Sequence, residues 1–515
     1  MKKWTRSFLL FLATACAFVA VLFLCGALAS PRVRTTPEDY PAKEVAAITE
    51  SRKASFDPKD LPTVQRDVDY AAGPSGAWYP KAESPILAEL VKEKKLPPVA
   101  ERTGSEPVVL TGADGIGKYG GTWLRLANAP GDVGIVTWRL SGSTLVRWSP
   151  LGYPIRPHLA KGWKVSPDKK EWTFYLRKGA KWSDGHPFTA DDIVYWWKDE
   201  QLKIASSPVP WMVVGGKQGD VVKVDDLTVK FVFPNSNAVL LENLSKAPVG
   251  SPRHYLRQYH PDLGDKKLIE ATMAARSLTT ARALYTALTD FRNPEHPRMW
   301  PWIYRTYKSS PPESFVRNPY FWGVDAQGNQ LPYVDRILFE VKSPTLIPLT
   351  AASGDATMQD RHITYDQYTL LAESQQRNDY KLLHWFPASR SAYTLWPNNN
   401  RRVQPGDSIS AQKAALLSDK RFRQALSVAI NREKIIKALY AGYGEPAQID
   451  PGRESEFHSE KLMKSYTAFE PKRANQLLDS LGLDKRDSEG MRMFPDGKRM
   501  TWYIDLTDFT GEGPV

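Results

Sequence analysis

Period-two alternation is clearest at Trp172, Phe174 and Leu176, which share one face of a short run and predict a half-buried strand. Ser183-Asp184-Gly185 then makes a turn, and Thr189 with Asp192 three residues on forms a capping box that opens a helix over Ala190 to Asp199. Leu227, Val229, Phe231 and Phe233 alternate again until Pro234-Asn235 ends that strand. Toward the C-terminus the period becomes helical. Phe422, Ala425, Leu426, Ala429 and Ile430 form one stripe, and a second helix from Arg432 to Tyr440 buries Ile435, Ile436 and Leu439 before Gly442. A third helix follows Pro471, with Ala474, Leu477, Leu478 and Leu481 inward and Gly482 closing it. Pro495-Asp496-Gly497 turns the chain, and Trp502, Ile504 and Leu506 begin a strand. Strands and helices alternate, so the fold class is α/β.

The front of the chain has a different texture. Between Pro31 and Ser105 there are ten prolines and few apolar periodic runs, which predicts an extended, surface-hugging segment. One short helix interrupts it: Ser84 caps, Pro85 takes the first helical position, Ile86, Leu87, Leu90 and Val91 make the stripe, and Pro97-Pro98 stops it. Ahead of this, Lys2, Lys3 and Arg6 precede an uncharged stretch from Ser7 to Pro31, and Ala27-Leu28-Ala29 supplies the small-x-small pattern of a signal-peptidase site. Residues 1–29 therefore read as a secretory signal cleaved after Ala29, with an uncleaved membrane anchor as the alternative that the same stretch is long enough to form.

Composition narrows the chemistry. The 515 residues suggest about three structural units, and 42% hydrophobic with 24% charged residues excludes a disordered or multi-span membrane chain. Cys16 and Cys25, the only two cysteines, both lie in the signal, so the mature chain has no thiol for a disulfide, a thiolate metal site or a nucleophile. Export without cysteines fits a bacterial envelope protein stabilised by core size. Net charge is +12, falling to +9 without Lys2, Lys3 and Arg6, and both signs are interspersed, so no nucleic-acid arm is marked. Gly112 to Lys118 imitates a phosphate loop and Gly115 to Gly120 a dinucleotide fingerprint, but Tyr119 stands where Ser or Thr is needed and a strand-like run follows where a helix is required. The eight histidines show no metal-ligand spacing, and no nucleophile elbow or carboxylate pair stands out. Neither an enzyme nor a cofactor is indicated. Seventeen Trp and twenty-two Tyr are the unusual feature; they suit a ligand cleft as well as a core.

The run from Leu159 to Trp197 contains Leu-Ala-Lys-Gly-Trp, Trp-Thr-Phe-Tyr-Leu-Arg-Lys-Gly-Ala-Lys-Trp-Ser-Asp-Gly and Phe-Thr-Ala-Asp-Asp-Ile-Val. It resembles the family 5 extracellular solute-binding proteins, the peptide, dipeptide and nickel receptors of ABC importers. Asn318 to Trp322, Leu331 to Asp335 and Asp419 to Arg432 agree, and Ser84 to Arg102 is similar to the extension of a larger-bodied branch.

The resemblance implies a type II periplasmic-binding-protein-like fold of two lobes closing on a ligand, with an extra subdomain inserted in lobe I. In this chain that gives a proline-rich extension over 30–117, lobe I over 118–345 with the insert at about 141–245, and lobe II over 346–515. In relatives the second lobe continues well past Leu506, and the tryptophan-aspartate segment that holds a peptide's α-amino group lies there, so the chain is expected to be an incomplete member. By position, Asn128 and Asp132, then Asp360, Arg361 and His362, then Trp396, Asn398 and Asn399 resemble cleft-facing segments. The implied function is an extracytoplasmic, periplasmic, monomeric receptor that captures oligopeptides and delivers them to ABC permease subunits. An oligosaccharide receptor of the same family is the alternative; a secreted hydrolase and a non-functional fragment are the readings from other classes.

Overall fold

The computed structural model describes residues 64–505, apart from 113–114, 136–138, 140–141, 150–153, 307–311, 384–393, 441, 454 and 456, together with 14, 16–25, 43 and 46. The expected cleavage site at Ala27-Leu28-Ala29 and the strand residue Leu506 lie outside the described residues. Residues 16–25 are helical, and no helix among the described residues is long and apolar enough to cross a membrane. The chain divides into two compact units: Met1–Ser343 with Ala356–Met358, and Pro344–Asp355 with Gln359–Val515.

The first unit is built on two four-stranded sheets. In one, Glu171–Leu176 pairs antiparallel with Ala160–Val165 on one side and Thr228–Val232 on the other, and Asp220–Asp225 forms the far edge. The predicted alternation is what holds it: Trp172, Phe174 and Leu176 face inward with Val229 and Phe231, and the Phe174 and Phe231 rings meet edge-to-face at 5.6 Å. In the other sheet the order is Trp302–Tyr304, Glu313–Arg317, Arg336–Val341 and Thr122–Ala127, the last two strands parallel. The Thr189–Asp192 capping box is formed, with Asp192 Oδ2 accepting from the Thr189 N–H at 3.0 Å and from the Trp182 indole at 3.1 Å. The helix it opens ends sooner than expected: Ala190–Tyr195 is α-helical and Trp196–Ile204 continues as a π-helix. Wider turns are tolerated where packing dictates them, and Trp196 and Trp197 are both buried in the core at this point.

The N-terminal extension departs from expectation over residues 64–117. Instead of hugging the surface, it is woven into the first unit. Gln65–Arg66 and Val108–Leu110 pair with each other, and Gly323–Asp325 adds parallel to the latter. Ser84 does cap Pro85–Lys92, but the buried face centres on Leu87 while Ile86 points outward. Two arginines explain the burial. Arg102 of the extension is fully buried; it donates to the Pro97 carbonyl at 2.9 Å and to Gln330 Oε1 at 3.0 Å, and it also bonds the Pro319 carbonyl and the Glu83 carboxylate. Arg177, at the end of the Glu171–Leu176 strand, reaches the other way to the Tyr70 hydroxyl at 2.6 Å and the Pro107 carbonyl at 3.2 Å. A buried guanidinium is tolerable only when its donors are matched, so each arginine fixes chain segments far apart in sequence. Between them Gly104 crosses Gly179 so closely that a Cβ on Gly104 would lie 2.5 Å from the Gly179 carbonyl carbon, and both residues have positive φ.

A second buried polar group lies among the helices that follow. Tyr285 donates to Glu200 Oε1 at 2.7 Å, so its hydroxyl accepts from Tyr195 at 2.9 Å. Burial pushes the Glu200 carboxyl up to about 7, against smaller lowering by Ser251 and Tyr285.

In the second unit the described elements are helices, among them Ser408–Ser418, Lys420–Val428, Arg432–Leu439 and Pro471–Asp479. Phe422, Ala425 and Val428 are buried, while Leu426, expected inside, is exposed. The strand expected from Trp502 is not formed over the described residues 502–505. Trp502 instead packs against Phe422, with ring centroids 5.1 Å apart and planes tilted by 35°, and Phe422, Leu416, Leu417, Leu483 and Phe494 form a buried core cluster in this unit.

Arg102→Ala removes the donor from Glu83 and from three further acceptors, and we expect a loss of about 3–5 kcal/mol in chemical denaturation, whereas the exposed Lys92→Ala should change stability by less than about 0.5 kcal/mol. The Glu200 carboxyl has a raised folded-state pKa, so its contribution is fully present below pH 4.5 and is lost as pH rises toward about 7. Stability of the wild type relative to Glu200→Gln should therefore fall by about 3 kcal/mol over that window; parallel pH profiles of the two proteins would contradict the assignment.

Candidate functional site

In the first unit, strand Thr122–Ala127 delivers Asn128 to a turn that leads into Pro130–Ile135. The Asn128 N–H donates to Asp132 Oδ2 at 3.3 Å, and the Asp132 N–H donates to the Ala129 carbonyl at 3.0 Å. The structure thus brings these two predicted residues together, with a structural task for Asp132: 9% exposed, its carboxylate closes the turn.

The other six predicted residues belong to the second unit. Asp360, Arg361 and His362 form a tight bend, in which the Asp360 carbonyl accepts from the Ile363 N–H at 3.4 Å and the Arg361 carbonyl accepts from Gln359 Nε2 at 2.7 Å. His362 sits at φ +62°, a left-handed conformation uncommon outside glycine and a mark of locally imposed geometry.

Immediately after this bend comes a feature that the reading of the sequence missed. Tyr365 and Tyr368 meet Tyr440 and Tyr443: the Tyr365 centroid lies 6.4 Å from Tyr368, 6.1 Å from Tyr440 and 5.9 Å from Tyr443, and Tyr368 lies 5.7 Å from Tyr443. The Tyr368 and Tyr443 hydroxyls are 3.5 Å apart, and this hydrogen bond pushes the Tyr368 phenol up from its ordinary value. Tyr443 is 45% exposed. Four phenols in one patch offer ring faces for stacking and hydroxyls that both donate and accept. Part of the signal was available, since Tyr365 and Tyr368 are spaced i, i+3, which places two side chains on one face of a helical turn.

Trp396 stands 81% exposed at the head of a separate turn. The Pro397 carbonyl accepts from the Asn399 N–H at 3.0 Å, and Asn398 Oδ1 accepts from the Asn400 N–H at 3.1 Å. Asn398 therefore shapes the turn, and Asn399 is exposed beside it. Large aromatic side chains are mostly covered in folded proteins, so an indole this exposed marks a surface available for contact. Among the described residues no group of three or more His, Cys, Asp or Glu side chains could hold a metal ion.

Comparison with known proteins agrees with this architecture. The model of the bacterial extracellular solute-binding proteins, family 5 Middle, matches residues 154–511. The chain is 28% identical over 449 residues to the periplasmic alpha-galactoside-binding protein of Rhizobium meliloti, covering 80% of this chain and 61% of that one. Among solved structures, an oligopeptide-binding protein OppA is similar with a TM-score of 0.64 and 38% identity, covering 82% of this chain and 66% of that chain. The periplasmic binding protein MelB of Agrobacterium fabrum C58, in complex with stachyose, gives a TM-score of 0.60 at 25% identity, covering 86% of this chain and 69% of MelB. The chain thus spans less than two thirds of the length of the first two relatives. With a two-lobed α/β fold and a family match over most of its length, the chain belongs to the family 5 bacterial extracellular solute-binding proteins.

Proposed function

We propose that the chain acts as the extracytoplasmic substrate-binding receptor of an ABC importer, capturing oligopeptides and delivering them unaltered to membrane permease subunits. The observation that carries the reading is the 38% identity, over 82% of the chain, to a protein named for oligopeptide binding. The second unit supplies suitable surfaces: the exposed Trp396 indole and the four-tyrosine patch give rigid aromatic area with polar edges. Such area accepts varied side chains at low entropic cost. The receptor works outside the cytoplasm as a monomer and performs no covalent chemistry.

One observation favours a second reading, an oligosaccharide receptor: the relatives include an alpha-galactoside-binding protein and a structure holding stachyose. Exposed aromatics suit sugar faces equally well.

Thermal melts separate the two. A pool of tri- to pentapeptides should raise the melting temperature, because a ligand at a thousand times its Kd adds ~4 kcal/mol; a melt moved only by α-galactosides would select the second reading. Trp396→Ala should leave the ligand-free melt within about 0.5 kcal/mol of wild type and weaken peptide binding by about tenfold. Asp132→Ala should do the reverse, costing about 1 kcal/mol of stability through the lost turn hydrogen bond with peptide affinity unchanged.

A further inference from the structure

A cavity of about 500 Å³ lies wholly within the first unit, inside the range of about 300–1,000 Å³ usual for small-molecule pockets. None of the eight residues predicted from sequence lines it, and neither does the tyrosine patch. Its lining is mixed in chemistry. Trp182, Phe188, Trp196 and Met299 are core residues. Gln201, Ser206, Ser251, Thr286 and Thr289 add neutral hydrogen-bonding side chains.

The two arginines on the wall are held in place by backbone carbonyls. Arg282 donates to the Ile204 carbonyl, and Arg298 donates to the Thr289 and Asp290 carbonyls at 3.1 and 2.6 Å while lying over the Trp300 ring. Alongside these, three buried polar atoms on lining residues lack a hydrogen-bond partner among the described residues: Glu200 Oε2, His296 Nδ1 and Arg298 Nε. The Ser251 hydroxyl lies near enough to Glu200 to lower its pKa. Unmatched buried polar atoms are rare in native proteins, and three of them gather round this one hollow. A lining that combines aromatic side chains with hydroxyls and an amide, and that carries unmatched donors and acceptors, suits a molecule that has an apolar face and several hydroxyl groups.

We propose that this cavity is a binding site for an uncharged polyhydroxylated molecule with the chemistry of one or two sugar rings. The site belongs to the first unit and is separate from the tyrosine patch and the Trp396 turn, which belong to the second. It is independent of the peptide-receptor reading.

The test titrates D-glucose, D-galactose, sucrose and maltose into the wild-type chain, reading the melting temperature and indole fluorescence. Two rim variants, Thr286→Trp and Ser206→Phe, fill the opening from exposed positions, so neither disturbs the core. At least one of the four sugars should raise the melt and quench or shift the indole emission in wild type. Its affinity should fall by about tenfold or more in both rim variants and stay unchanged in Trp396→Ala. Absence of binding by all four sugars overturns the proposal, and so does binding that survives intact in both rim variants, since the sugar then sits elsewhere. Peptide response measured in the same rim variants reports on the transport function separately.

Discussion

A guanidinium taken out of water needs an acceptor for its donors, and Arg102 finds them only when Glu83, Pro97, Pro319 and Gln330 are all in place. Two of those acceptors lie 217 and 228 residues further along the chain. The extension and the Asn318-to-Gln330 segment therefore cannot take up position separately. Gln330 passes the constraint on, donating to the Pro319 and Phe321 carbonyls at 2.9 and 3.1 Å, and Tyr119 donates to the Gln330 carbonyl at 2.8 Å. Arg177 closes the arrangement from the opposite side through Tyr70, Glu106 and Pro107. The first unit is thereby assembled around two matched cations, and the proline-rich extension is one of its structural members.

Aromatic residues divide between two tasks. Trp172, Trp182, Trp196, Trp197 and Trp322 are buried in the main core of the first unit, where Trp196 also stacks on Trp211 at 6.0 Å. In the second unit Trp396 and Tyr443 remain exposed. The same residue type that fills a core can thus serve as contact surface when its neighbours are turns instead of sheets. This division is why a high tryptophan count could not by itself point to a cleft.

What could be read from the sequence was whatever local spacing decides. The strand at Trp172, Phe174 and Leu176 and the box between Thr189 and Asp192 depend on residues two or three positions apart, and both are present. The helix after Asp192 changes to π geometry at Trp196 because packing of two indoles decides its turns. Leu426, expected inside, is exposed while Val428 is buried, because the face of Lys420–Val428 is set by Pro471–Asp479 packed against it. The extension was misread as superficial because its anchors are long-range hydrogen bonds that no periodicity records. At the candidate site, the Trp396 turn, the Asp360-to-His362 bend and the Asn128-to-Asp132 turn could be picked out as polar or aromatic loops, whereas the hydrogen bond from Asn128 to Asp132 becomes visible only in the fold. The tyrosine patch was missed because its two halves are separated by a long stretch of chain and meet only in the fold.

A receptor for transport must hold its solute tightly enough to collect it and release it chemically unchanged, which asks for aromatic surface and hydrogen bonds and for no nucleophile or proton shuttle. The measurement that tests this most directly is native mass spectrometry of the chain incubated with a defined peptide pool, followed by analysis of the peptides released. The account predicts a one-to-one complex whose bound peptides are recovered at their original masses. Shortened peptides, or no complex at all, would contradict it.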